Sequence, residues 1–417
     1  MTSAAENMHG TGIEALNVYC GIASIPVRSI FEGRSLDVGR IGNLMMEQRS
    51  IGLPCEDPVT NAVNAAMPVI ERLNPEEKAA IEILIISSES GVDYSKSIAS
   101  YVHEHLGLSR ECRLIEAKQA CYAATAAVQM AVAYVASGIS QGAKVLVVAT
   151  DVSLADDRVG YAEPAMGTGG AAILVSAQPS IMSVDFGAFG SYSYETLDSA
   201  RPGPAFDIVD TDKSLFAYLD CLSRSFENYA RRVEGADFVA TFDYLAFHTP
   251  FGGLVKAAHR KMMRECAKAS AEQVEEDFVR RVKPSLIYPC IVGNLCSGSV
   301  YLALSSLIDT APLNGGSRVG VFSYGSGCSS EFFSGLIHHS SASVLAEMRI
   351  AAHLGDRCVL TFEQYTQLLA DNLRCLVPEK NRRIDLASSD KILARARARR
   401  MLVLREIRDY HREYDWV

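Results

Sequence analysis

The chain has 417 residues, 48% hydrophobic and 21% charged, which is globular material long enough for one large core or two fused half-size units. Forty basic residues against 49 acidic ones leave a formal charge of -9, which argues against general affinity for nucleic acid or for an anionic membrane. No stretch approaches 18 consecutive apolar residues, so nothing in the sequence is suited to spanning a bilayer.

The opening, Met1 to Gly12, is polar and lacks the apolar region of a secretory signal. Eleven cysteines occur singly, often inside apolar runs, and the pattern fits free thiols in a reducing cytoplasm. Ile83 to Ile86 forms a short apolar strand ending in Ser-Ser-Glu-Ser-Gly. Gln119-Ala-Cys-Tyr-Ala-Ala-Thr then opens an Ala-rich helix through Ser137, and Lys144-Val-Leu-Val-Val-Ala-Thr-Asp reads as the next strand. Met166-Gly-Thr-Gly-Gly-Ala-Ala is a glycine turn leading into a strand and lacks a Gly-Lys-Ser/Thr, so it is no phosphate loop. Residues 190–232, rich in Ser, Tyr, Asp and Pro, read as an irregular insertion over a site.

The second half follows the same order. Tyr244-Leu-Ala-Phe ends in His248-Thr-Pro-Phe-Gly-Gly; Gly293-Asn-Leu-Cys-Ser-Gly-Ser-Val opens an apolar helix; Arg318-Val-Gly-Val-Phe-Ser-Tyr-Gly-Ser-Gly is strand-like. Cys121 precedes Val145 by 24 residues and Cys296 precedes Val319 by 23. Alternating short strands and helices predict an α/β layered fold, and the matching order predicts two related halves, 1–180 and 181–417. Generic α/β units would also produce such a match. Ser388 to Tyr414 is expected to be a helix capped at Ser388 or Ser389, with seven arginines from Arg395 to Arg412 on a solvated basic face.

Cys121 is the first candidate for chemistry. A thiol at a helix N-terminus feels the positive end of the dipole, which favours thiolate, and Ala120, Ala123 and Ala124 leave room for a substrate. A core cysteine is the competing reading. Glu89, at the end of an apolar strand, is placed for burial that would raise its pKa toward acid/base work; a rim carboxylate bonded to its own turn is the alternative. His248 takes the corresponding place in the second half, where an imidazole could donate to a thioester carbonyl or simply be structural. Asn294 and Ser326 lie in Gly-rich turns whose backbone N–H groups could crowd an oxyanion. His338-His339 is the only His pair and has no ligand partner at metal spacing, so no metal site is expected.

In this order the segments resemble 3-hydroxy-3-methylglutaryl-CoA (HMG-CoA) synthase of the thiolase superfamily. The resemblance is carried by Gly12-Ile-Glu-Ala-Leu-Asn-Val-Tyr, Ile86-Ser-Ser-Glu-Ser, Ala120-Cys-Tyr-Ala-Ala-Thr-Ala-Ala-Val, Thr168-Gly-Gly-Ala-Ala, Phe247-His-Thr-Pro-Phe, Gly293-Asn, Tyr324-Gly-Ser-Gly-Cys and the final Tyr410-His-Arg-Glu-Tyr. It implies a thiolase-like αβαβα fold and a homodimer, with Cys121 as the acylated nucleophile, Glu89 as general acid/base and His248 orienting the acceptor thioester. Asn294, Ser326, Tyr161, Asp151 and Asp198 match supporting positions. No cofactor is implied beyond the phosphopantetheine that substrates bring.

Three departures separate the chain from the primary-metabolism enzymes. Ala123-Ala124 stands where they tend to have Gly-Gly, and Asp198-Ser-Ala-Arg-Pro replaces their Asp-Phe-Tyr-Lys-Pro. Phe251-Gly-Gly-Leu-Val-Lys-Ala-Ala-His-Arg resembles the synthases of polyketide β-branching, which implies donor and acceptor acyl carrier proteins as partners. Arg201, Lys256, Arg260 and Arg264 are the expected contacts to the carrier or its phosphopantetheine. The competing readings are an enzyme using acetyl-CoA and acetoacetyl-CoA, a ketoacyl synthase or thiolase, and a catalytically dead scaffold.

Overall fold

A computed structural model describes residues 10–313, 315–396 and 400–417. Its frame is a nine-stranded sheet. The strands are β1 (Gly12–Tyr19), β2 (Ile81–Ser87), β3 (Arg113–Ala117), β4 (Lys144–Asp151), β5 (Gly169–Ser176), β6 (Met182–Ser193), β7 (Tyr244–Phe247), β8 (Arg318–Gly325) and β9 (Ser329–Ile337). They lie in the order β7-β8-β9-β6-β1-β5-β4-β2-β3.

The two sides of this sheet repeat one pattern. On one side β2 pairs parallel with β4, β4 antiparallel with β5, and β5 antiparallel with β1. On the other, β7 pairs parallel with β8, β8 antiparallel with β9, and β9 antiparallel with β6. Among the described residues the half-sheets join through β1 and β6, at Gly12 opposite Ser183 and Ile13 opposite Met182. β3 has no counterpart and forms an open edge. Strands β4 and β5 are buried along their whole length, which is why they read as continuous apolar runs rather than alternating ones.

Helices cover the sheets. α1 (Pro58–Glu71) starts on a capping box between Asp57 and Thr60 with proline at its first position, and packs on β1, β4 and β5. α2 (Ala123–Ala136) and α5 (Ser299–Thr310) occupy matching places in the two halves. They meet where the Thr125 and Tyr301 hydroxyls approach to 3.3 Å. Just before α5, Ser297 Oγ lies 2.9 Å from Ser87 Oγ at the end of β2. This shared central layer between the half-sheets agrees with the αβαβα expectation.

Two expectations fail. The 190–232 segment is mostly regular: β6 runs to Ser193, a small hairpin spans Ser199–Gly203 and Phe206–Val209, and α3 (Thr211–Arg232) is a 22-residue helix. Tyr218, Leu222, Phe226 and Tyr229 recur at helical spacing and are buried, while the Asp210 side chain caps the N-terminus. The polar composition masked that stripe.

The C-terminal helix is short. It spans Asp390–Ala396, and after it β10 (Leu402–Arg408) and β11 (His411–Trp416) form an antiparallel hairpin. Asp409 and Tyr410 turn it with φ of 47° and 66°. Arg405 pairs across the strands with Glu413 and Asp415, and Arg412 is buried against Asp57 at 2.8 Å, so these arginines do not form a solvated helical face. Arg397 and Arg399 lie outside the described residues. Among the described residues, no helix is long and apolar enough to cross a membrane.

Candidate active site

Parallel strands put their C-terminal ends on one edge of a sheet, and loops that leave that edge carry the candidate residues. Glu89 comes two residues after β2, Asp151 ends β4, His248 directly follows β7, and Ser326 directly follows β8. Cys121 and Asn294 approach the same region from the segments that precede α2 and α5.

Two of these groups meet, together with a second cysteine. The Cys121 sulfur, the Cys296 sulfur and a Glu89 carboxylate oxygen all lie within 4.8 Å of one another. The Cys296 thiol donates to Glu89 Oε1 at 3.4 Å. Cys121 stands two residues ahead of the first helical residue, Ala123, and Ala120 before it takes a left-handed φ of 43°.

The helix N-terminus does not decide the Cys121 ionisation. A hydrogen bond from Cys296 draws its pKa down, but burial and the Glu89 and Asp151 carboxylates outweigh that, and the thiol lies above its usual value. The shift favours the thiol form of Cys121, against the thiolate expected from the helix terminus.

The Glu89 pKa moves in the direction read from the sequence. Burial raises its pKa, and the Arg201 guanidinium, 3.8 Å from Oε1, pulls back against that rise. Asp151 organises the turn that presents it: Asp151 Oδ1 accepts from the Glu89 N–H at 2.9 Å, Ser90 Oγ at 2.9 Å and Ser88 Oγ at 3.2 Å. Burial and the neighbouring Glu89 push the Asp151 pKa well up.

His248 is 2% exposed, and burial lowers its pKa to about 3. The imidazole is neutral at physiological pH, and its Nδ1 has no hydrogen-bond partner among the described residues. The backbone around it is fixed: its N–H donates to the Phe322 carbonyl at 2.7 Å, and its carbonyl accepts from the Tyr218 hydroxyl at 2.7 Å.

The residues that match supporting positions divide by what they hold. Asn294 Oδ1 accepts from the Cys296 N–H at 3.0 Å and from Ser299 Oγ at 2.7 Å, while its Nδ2 meets only the Met166 sulfur at 3.9 Å. Asp198 accepts from the Tyr324 hydroxyl at 2.6 Å and the Gly327 N–H at 2.9 Å, which pins both sides of the Ser326 turn. That turn lies against the Cys121 segment so closely that a Cβ on Gly325 would come within 2.5 Å of the Gln119 carbonyl and the Tyr122 nitrogen. Tyr161 contacts Phe31, Asp37 and Arg40.

The basic residues are redistributed. Arg201 is not an open contact for a carrier: its side chain is 9% exposed, it forks onto Asp207 at 2.6 and 3.0 Å, and it donates to Ser90 Oγ at 2.7 Å. Lys256, on α4 (Gly252–Ala267), is paired with Glu275 at 2.7 Å. His259 on the same helix is fully buried against Asp277. Arg260 and Arg264, one turn apart, are exposed. Sequence reasoning missed Asp207 and Ser90, and Cys296 stood out only as the counterpart of Cys121. The Arg201–Asp207 pair within one hairpin was the available signal.

Residues 9–180 match the family profile for the hydroxymethylglutaryl-coenzyme A synthase N-terminal region, and residues 258–390 that for its C-terminal region. The chain belongs to the hydroxymethylglutaryl-CoA synthase family. It is 44% identical, over 98% of its own length and 100% of the relative's, to the polyketide biosynthesis 3-hydroxy-3-methylglutaryl-ACP synthase PksG of Bacillus subtilis. It is 32% identical to the hydroxymethylglutaryl-CoA synthase of Enterococcus faecalis, over 87% of this chain and 92% of that one. Among solved structures, the HMG synthase of the curacin biosynthetic pathway, in complex with holo donor-ACP, matches with a TM-score of 0.95 at 45% identity, covering 98% of this chain and 100% of that one. The fold is thus the thiolase-like fold of these synthases.

Proposed function

We propose that this synthase joins an acetyl group held on Cys121 to the β-carbonyl carbon of a β-ketoacyl group carried by an acyl carrier protein, the β-branching reaction of polyketide assembly. The observation that carries this reading is the Cys121 sulfur within 4.8 Å of the Glu89 carboxylate; His248, which directly follows β7, is buried and neutral.

The steps follow from these groups. Cys121 gives up its proton as it attacks the acetyl thioester, and the released carrier sulfur takes a proton in turn, so a difficult displacement becomes two easier ones. Glu89, whose burial makes it a stronger base than a surface carboxylate, removes a proton from the acetyl methyl group. The resulting enolate attacks the acceptor β-carbonyl, to which His248 donates a hydrogen bond; the alkoxide formed there takes up the proton that Glu89 removed, which restores the carboxylate. Backbone N–H groups near Cys121 and Ser326 hold the thioester oxyanion. Water then cleaves the Cys121 thioester, releasing a 3-hydroxy-3-carboxymethyl acyl group on its carrier and restoring the thiol.

Carrier-borne rather than CoA-borne substrates are favoured by higher identity to the ACP synthases than to the CoA enzymes. Exposed Arg260 and Arg264 would meet an acidic carrier. Phosphopantetheine arrives with the substrates, and the chemistry uses no metal or resident cofactor. A homodimer is supported by β3, an open sheet edge with Leu114 and Ile115 exposed. The division into halves at 180/181 is supported by the repeated strand pairing. Eleven free cysteines suit the cytoplasm. The deciding experiment is acetyl transfer to Cys121 from acetyl carrier protein and from acetyl-CoA at equal concentration, followed by intact-protein mass. The carrier is expected to be preferred; equal or better use of acetyl-CoA returns the protein to the CoA-dependent class.

A further inference from the structure

Among the described residues, Cys296 is a buried group beside the reacting atoms that the mechanism leaves unused. Cys296 is 2% exposed, and its sulfur is within reach of both the Cys121 sulfur and the Glu89 carboxylate. The backbone there is held in an uncommon conformation: Cys296 has φ of 49°. Asn294 Oδ1 takes its N–H, Ser299 Oγ steadies Asn294 and the Leu295 N–H, and Ser297 bonds across to Ser87. Backbone held in a sparsely populated region against several fixed partners is a recurrent mark of functional sites. Here its result is to aim one thiol at two functional groups.

We propose that Cys296 is a positioning residue whose single S–H is donated in turn to the Cys121 sulfur and to the Glu89 carboxylate. A thiol carries one proton and is a weak donor, so it serves only one of these acceptors at a time. At rest the S–H is donated to Glu89 Oε1 at 3.4 Å; as Cys121 ionises, its developing thiolate becomes the better acceptor, and a bond to it eases ionisation. Acetylation converts that sulfur into a thioester, a poor acceptor, and the S–H turns back to Glu89. There it favours the ionised carboxylate that the methyl deprotonation needs. The proton stays on Cys296 throughout, so no bond to it is made or broken. The electrostatics agree: the Cys296 bond lowers both the Cys121 and the Glu89 pKa, whereas Cys296 itself is pushed well above the usual thiol value by Cys121, burial and Glu89. Cys296 is thus a donor and a poor nucleophile.

The inference rests on Cys121 as nucleophile and Glu89 as base, and the test separates the two. Single-turnover acetylation of Cys121 and condensation by pre-acetylated enzyme are each followed against pH, for the parent, Cys296→Ala and Cys296→Ser. In Cys296→Ala the acetylation limb and the acid limb of condensation should both move up by about one pH unit, a roughly tenfold loss below the limb. Cys296→Ser, which keeps a donor, should restore both limbs. If alanine prevents folding, Cys296→Gly replaces it, since glycine accepts the positive φ. Limbs that stay in place, even with a lower plateau, overturn the inference. A parent that never acetylates at Cys121 overturns the functional reading instead.

Discussion

The Arg201 guanidinium stands 3.8 Å from the Glu89 carboxylate and is itself forked onto Asp207. Its positive charge opposes the rise of the Glu89 pKa through burial. Arg201→Met should remove that opposition and raise the Glu89 pKa further. The base form then requires higher pH, so the acid limb of the condensation rate should move upward while acetylation persists. Single-turnover condensation from pH 5 to 9 checks this, and a limb moving downward would contradict it.

Cys121→Ser should abolish the covalent acetyl adduct without unfolding the protein, because the change is nearly isosteric. Intact mass and peptide mapping read the outcome. A label on Cys296 or Cys328 would identify a different nucleophile.

Glu89→Ala divides acylation from condensation. Thioester exchange needs no carbon acid to be deprotonated, so Cys121 should still acetylate, while condensation should fall by about 10²–10⁴. Parallel loss of both steps would mean that Glu89 organises the thiol.

His248 predicts a stability signature. Its folded pKa of about 3 is below the ordinary histidine value of 6.5, so the unfolded chain binds the extra proton between those limits. Stability from this group is therefore complete above about pH 6.5 and declines as pH falls toward 3, by at most about 1.4 kcal/mol per unit. Denaturant unfolding at pH 7 and pH 5.5 should show a smaller pH-dependent difference in His248→Gln than in the parent. An equal difference in both proteins would refute the assignment.

The exposed pair on α4 gives a partner prediction. Arg260→Glu should weaken acetyl transfer from an acidic carrier more than transfer from acetyl-CoA, and added salt should narrow the gap. Equal losses with both donors would remove Arg260 from the carrier surface.

Local sequence determined the strands and helices that deliver the site, because their signals are short-range. Apolar runs such as Ile83–Ile86 must be covered on both faces, and Ala-rich or apolar stretches after Cys121 and Cys296 favour helices. The residues at the ends of those elements, Glu89, Cys121, His248 and Asn294, could therefore be picked out as candidates from position, while their roles came only from the family resemblance. Tertiary structure decided what these residues experience. The distance from Glu89 to Cys296 spans 207 positions of chain, and the charge on Arg201 reaches Glu89 from 112 positions away. Burial and buried charge set pKa values, and both depend on which distant segments fold together. That is why the helix terminus suggested a thiolate at Cys121 while the assembled site favours the thiol. The same logic separates Arg201, drawn inward by Asp207 and Glu89, from Arg260, left at the surface. It also explains the C-terminus, where arginines read as a helical face became strands once Asp57 and the cross-strand carboxylates offered them partners.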